Sequence, residues 1–309
     1  MNRRSFVTAL AAASAAGAAL GAKGPSRIID THTHFYDPRR PGGVPWPAPG
    51  EPKLYRPVLP ADFVKLTRPL GVTGTVVVEA SPLLEDNQWI LDLARDNPVI
   101  AGFIGHLEPG RPEFRGHLER FAKNPLFRGI RLDGGRIQAG VEQAAFMDDL
   151  RRMAQAGFTL DAIGGPEMFA PLDRLAGSVP ALKIVIDHLP FDPFRGKAEH
   201  ALYADGLQRM AAHRNVFAKV SGVLRPGAGQ SGATLRMGRL WRAFGEDRLL
   251  YGSNWPVSDL AAPYTDILAI VTAYFLAKGP GATEKFFWRN SVNAYGWAPR
   301  EAAHASGQP

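Results

Sequence analysis

The chain has no cysteine in its 309 residues, which excludes disulfides, thiol nucleophiles, zinc fingers and Cys-ligated clusters. Its chemistry must come from His, Asp, Glu, Lys, Arg or hydroxyls. Runs of like charge are also missing. The net charge of +7 comes from Lys and Arg scattered among 29 acids, with neither a basic stripe nor a recognition motif, so no nucleic-acid partner is expected. Long apolar runs are scarce too. The most extended, residues 6–22, is rich in Ala, Gly and Ser and barely reaches the length of a membrane span.

That stretch belongs to a basic-tipped leader, MNRRSFVTALAAASAAGAALGAKG, in which Arg3, Arg4, Ser5 and Phe6 follow the twin-arginine export pattern. Residues 1–24 therefore read as an export signal with cleavage near Gly21 or Ala22. The expected product is periplasmic or secreted, with no stable membrane anchoring after signal removal.

With 45% hydrophobic and 21% charged residues, the remaining chain has ordinary globular composition. Short β-branched runs at 27–34, 74–80, 99–106, 127–133, 158–163, 182–188, 216–222 and 249–254 predict eight strands. Segments with apolar residues three and four apart, at 85–97, 114–124, 142–156, 167–177, 201–213 and 235–245, predict helices between them. Strands alternating with helices need crossover connections and hence parallel pairing. The expected fold is an α/β protein, a (β/α)8 TIM-like barrel over residues 25–298, followed by a polar tail at 299–309. The Pro-rich segment 37–60 interrupts this rhythm as a lid, a pocket wall or a surface wrap.

In such a barrel the C-terminal strand ends face the site, and here they are polar: Asp30, His32 and His34 on the first strand, then Glu79, His106, Arg131 and Asp133, Asp161, Asp187 and His188, Lys219 and Ser221, and Asn254 on the eighth. His32 and His34, two apart on a strand, project from one face. With His188 they would suit one divalent ion, zinc or similar. Arg131 and Lys219 are candidates to hold a substrate carboxylate or an oxyanion; internal salt bridges with Glu79, Asp133 or Asp161 are their alternative. Glu79, His106, Asp133, Asp161 and Trp255 are candidate substrate contacts, with packing as the alternative for Trp255, and Trp46 and Tyr55 could stack on a sugar-sized ligand.

The series DTHTHFYDP, TVVVEA, FRGIRL, VIDHLP, KVSG, DRLLYGSNWPV and RNSVNAYGW resembles the amidohydrolase superfamily, in its sugar-lactone and dicarboxylate lactonase branch, from about residue 27 to 297. The resemblance implies a distorted (β/α)8 barrel whose site uses His32, His34, His188 and an acid ending strand eight that activates water, with or without a metal ion. The implied activity is hydrolysis of a lactone or related cyclic ester of a sugar acid or small carboxylic acid. Amide hydrolysis, decarboxylation, or ligand binding by a pseudoenzyme without its base are the alternatives.

One position departs from the family pattern. Asn254 stands where the acid is expected, and an amide neither takes a proton nor neutralises a metal. The base must lie elsewhere: His188, Glu79, Asp133 and Asp161 are the candidates, and a bound metal that generates hydroxide is the alternative. Asn254 itself can orient water or substrate.

Overall fold

The computed structural model describes residues 24–188, 197–224 and 230–300. Residues 1–23, on which the expected export motif and cleavage site fall, and residues 301–309 of the expected tail lie outside them.

Eight strands form one parallel sheet in sequence order: β1 (Ile28–Thr33), β2 (Val72–Val78), β3 (Ile100–Gly105), β4 (Phe127–Asp133), β5 (Thr159–Ile163), β6 (Lys183–Ile186), β7 (Val216–Val220) and β8 (Leu249–Tyr251). Runs such as Val76, Val77 and Val78 are buried whichever way they point, as expected of parallel strands covered on both faces. The ring closes just past the ends of β1 and β8. Thr33 bridges Trp255 in parallel, the Asn254 N–H donates to the His32 carbonyl at 2.9 Å, and the His34 N–H donates to the Trp255 carbonyl at 2.9 Å.

Helices cover the outside with their apolar faces. In the helix Ala144–Gln155, for example, Phe146, Met147, Leu150 and Met153 are buried, and Gly157 follows with φ of 76°, a left-handed stop. Among the described residues five further α-helices were not expected from periodicity: Pro60–Thr67, Gly134–Gly140, Tyr264–Leu276, Pro280–Glu284 and Asn290–Tyr295.

Inside the barrel, Ile29, Ala101, Val185 and Leu250, each second or third in its strand, pack against Ala294, Tyr295 and Trp297. The C-terminal segment thus plugs the N-terminal end of the barrel and leaves the opposite mouth for a site. It also extends the fixed body past the expected boundary. Arg300 donates to the Ala94 carbonyl at 2.7 Å and to the Ile100 carbonyl at 3.1 Å.

The Pro-rich segment is a pocket wall. Tyr36 and Val58 exchange backbone hydrogen bonds of 3.0 and 2.9 Å across its base, the Tyr36 hydroxyl donates to the Leu54 carbonyl at 2.9 Å, and the Trp46 ring lies 5.8 Å from the His34 ring. Its two ends meet, as in an Ω-loop.

Candidate active site

Three donors converge at the mouth. One ligand atom from each of His32, Asp187 and His188 lies within 4.8 Å of the other two. The His32 ring centroid is 4.3 Å from that of His188 and 5.0 Å from that of His34. Asp187 and His188 are consecutive and would face opposite ways on a regular strand. His188, however, has φ of 54°, and this left-handed residue breaks the alternation so that both can join the cluster. Asn254, with φ of 65°, and His188 are the two non-glycine residues with positive φ among the described residues. Such conformations cost energy and gather at functional sites.

Beneath the cluster, the Lys219 ammonium is fully buried between two carboxylates, 2.8 Å from Asp161 Oδ2 and 2.8 Å from Asp187 Oδ1, and 3.3 Å from His32 Nδ1. The Tyr295 hydroxyl lies 3.1 Å from both oxygens of Asp161. Two residues beyond Lys219 on the same strand face, Ser221 Oγ shares a 2.8 Å hydrogen bond with His188 Nδ1. This crowding requires Gly252: a Cβ there would stand 2.9 Å from His32 Cβ and 3.2 Å from Lys219 Cγ.

Burial would suppress the Lys219 charge, but Asp161 and Asp187 outweigh it and hold the ammonium above its usual value. Burial works against the Asp187 charge too, yet Lys219 and His32 hold that carboxyl well below the carboxylate range. Asp161 is driven upward by burial past the pull of Lys219. Burial, aided by His188 and Lys219, lowers His32 well below its ordinary value. His34 is pushed down to about 3, first by burial and then by the Arg131 guanidinium. Both imidazoles are therefore neutral. His34 Nδ1 donates to the Val78 carbonyl at 2.9 Å, which leaves Nε2 as its acceptor.

Asp30 fastens this arrangement to strand eight. Its Oδ1 accepts from the Ser253 N–H (2.9 Å) and the His32 N–H (3.1 Å), and its Oδ2 accepts from the Tyr264 hydroxyl (3.0 Å). Burial raises its pKa to about 6. Asn254 follows directly and is set by its backbone bond to His32.

Several expected contacts have other roles. Lys219 is locked in its ion pairs and does not hold a substrate anion. Arg131 is tied to Glu79 through both the side chain (2.9 Å) and the main chain (2.8 Å), so those two form a pair beside His34. Asp161 is fully buried under Lys219 and does not reach the mouth. Asp133 caps the helix Gly134–Gly140, accepting from the Arg136 N–H at 3.0 Å. His106 stands apart with Arg136 and Glu108, half-buried, in a separate pocket. Trp255 is a core residue, packed on Phe35 and Phe63 with ring distances of 6.3 and 5.7 Å.

Asp187 was named among the polar strand ends facing the site but was given no role, and Tyr295 was not named at all. The Asp-His pair ending an apolar run was the available signal for Asp187; Tyr295 had none beyond its place in the closing motif.

The donor set fits a divalent ion. His32 Nε2 and Asp187 Oδ2 are buried with no hydrogen-bond partner among the described residues. Such atoms are costly unless something claims them, and neutral imidazole nitrogens with a carboxylate oxygen suit zinc-type ions. His34, expected as a ligand, lies beside this set but not within it.

A closed ring of eight parallel strands, plugged below and lined with neutral histidines and paired acids above, is a (β/α)8 barrel of enzymatic type. The chain belongs to the amidohydrolase family, whose model matches residues 29–297. It is 31% identical over 279 residues to an L-fucono-1,5-lactonase of Burkholderia ambifaria, covering 86% of this chain and 94% of that protein. A second L-fucono-1,5-lactonase, from Burkholderia multivorans, is 26% identical over 282 residues, 84% and 92% of the two chains. The crystal structure of a Burkholderia multivorans amidohydrolase with bound zinc superposes with a TM-score of 0.78 at 22% identity, over 88% of this chain and 100% of that one.

Proposed function

We propose that this chain hydrolyses the lactone of a sugar acid, with water attacking the ring carbonyl above His32, Asp187 and His188. The observation that carries the reading is Asp187 Oδ2, a buried carboxylate oxygen with no hydrogen-bond partner among the described residues, beside the two histidines. It replaces the acid that strand eight lacks. Asp187 orients the attacking water and takes its proton as the new C–O bond to the carbonyl carbon forms, then returns that proton to the ring oxygen as the ring C–O bond breaks, giving the hydroxy acid. Lys219 keeps Asp187 ionised, and Ser221 fixes the His188 ring. If a zinc-type ion were held by His32, Asp187 and His188, Asp187 would serve as its ligand rather than as the base, and the ion would act as a Lewis acid and lower the pKa of its water. The relatives that act on fuconolactone favour a sugar lactone as substrate.

The test is acid release from a panel of aldono-1,4- and 1,5-lactones, monitored with a pH indicator against spontaneous opening. Turnover of at least one lactone is expected; a folded protein inert toward all of them contradicts the reading. Asn254→Asp sharpens it, since the left-handed backbone at 254 also accepts Asp. With Asp187 already serving, the added acid brings no gain, and a hundredfold rise would return the base to strand eight. The basic-tipped leader with Arg3, Arg4 and Phe6 supports export from the cytoplasm as part of this reading. Export of a reporter fused to residues 1–24 that is lost in an Arg3→Lys, Arg4→Lys variant checks it.

A further inference from the structure

Beside His34 lies a small pocket that the hydrolytic reading does not use. It is lined by Tyr36, just before the Pro-rich loop, by Arg40 and Trp46 within it, by Glu79 just past β2, and by Asp86 and Trp89 of the helix Leu84–Arg95, among others. To a water-sized sphere it offers ≈ 10 Å³, room for about one water or one hydroxyl. Trp46 is shared with the site, since its ring stands 5.8 Å from His34 and 5.4 Å from Tyr36.

The charges here are already matched. Arg40 lies 2.6 Å from Asp86 and 4.3 Å over the face of Trp89, and Glu79 is held by Arg131 at 2.9 Å. A substrate carboxylate would find no unopposed cation among these residues. One donor nevertheless goes unused: Arg40 Nε is buried with no hydrogen-bond partner among the described residues. A guanidinium anchored at its tip and stacked on an indole is held rigidly, so its unused N–H has a fixed place. A pocket of one-hydroxyl size, with a fixed donor, carboxylate acceptors nearby and balanced charge, suits a neutral alcohol. An alcohol can accept from the Arg40 N–H and donate to a carboxylate together.

We propose that this pocket reads one ring hydroxyl of the lactone, with Arg40 as its specificity-determining donor and Trp46 as the wall it shares with His34. The substrate class is thereby narrowed to neutral hydroxylated lactones. This rests on the hydrolytic reading of the mouth, but it can be tested separately.

The experiment compares a hexono-1,5-lactone with δ-valerolactone, the same ring without hydroxyls, on wild type, Arg40→Met and Arg40→Lys, each checked for fold by thermal melting. A site built around a substrate hydroxyl discriminates strongly against its absence. The kcat/KM ratio of the two lactones is expected to fall roughly 10- to 100-fold in both variants. Lys retains the charge facing Asp86 but has no Nε–H, so a role confined to the ion pair predicts recovery in Arg40→Lys. That recovery, or an unchanged ratio in Arg40→Met, overturns the proposal. If wild type opens neither lactone, the hydrolytic reading fails. The subsite is then read by calorimetry on the ring-opened acids, hexonate and 5-hydroxypentanoate. Loss of their affinity difference in both variants supports the subsite, and its persistence overturns it.

Discussion

Two sides of the barrel mouth carry similar residues and do different things. On the side of β1, β5, β6 and β7, the charged and imidazole groups are buried: Lys219, Asp161, Asp187 and His32 have no exposed surface. On the side of β3 and β4, Asp133, Glu108 and Arg136 pair in solvent with side chains about half exposed, 57%, 47% and 40%. Exposed pairs contribute little and are screened, whereas an unmatched buried charge is costly. Polar strand ends therefore do not by themselves mark a site. The buried side is distinguished by atoms left without partners.

Removing the cation from the buried side should have the largest effect. Lys219→Met leaves Asp161 and Asp187 facing each other without a counter-ion and is expected to destabilise by about 3–5 kcal/mol, measured by urea denaturation. A loss below about 1 kcal/mol would mean that this side is solvated like the other.

Asp30 allows a test by pH. Its folded pKa of about 6 lies above the ordinary value of 3.8, so its contribution is full below about 4 and is lost as pH rises through 6. Asp30→Asn removes that dependence. Its cost relative to wild type should shrink by about 2 kcal/mol between pH 4 and pH 7, read from denaturant midpoints at several pH values; a cost independent of pH would place Asp30 in a solvated setting.

Gly252→Ala forces a methyl against His32 and Lys219. It should cost about 1–3 kcal/mol and lower the melting temperature. On the exposed side, Asp133→Ala removes a helix cap at about 1 kcal/mol with lactone turnover within about threefold of wild type. A rate loss as large as those on the buried side would erase the distinction between the two.

The barrel could be read in the sequence because each strand is a short β-branched run set between amphipathic segments, and all eight fall within a few residues of their expected places. The helix Tyr264–Leu276 escaped because YTDILAIVTAYFL is apolar on nearly every face and shows no period; Gly134–Gly140 escaped because GGRIQAG is a poor helix former, held here by its Asp133 cap. His32 and His188 were legible as strand-end histidines in a shared order. The role of Asp187 was not, because alternation along β6 turns it away from His188 until the left-handed backbone at 188 brings both together. Nor could the sequence tell Lys219, sealed between carboxylates, from Arg136 in solvent. Burial depends on which strands stand opposite, and that appears only once the ring is closed.

The most direct test is the lactone-opening rate of Asp187→Asn, which keeps the shape of the side chain and removes its charge, measured beside His106→Ala from the exposed side. Loss of the carboxylate should lower kcat by roughly 10²–10⁴-fold, while His106→Ala stays near wild type. An Asp187→Asn enzyme that is folded and still opens lactones at the wild-type rate would contradict the assignment of the strand-six carboxylate as the base.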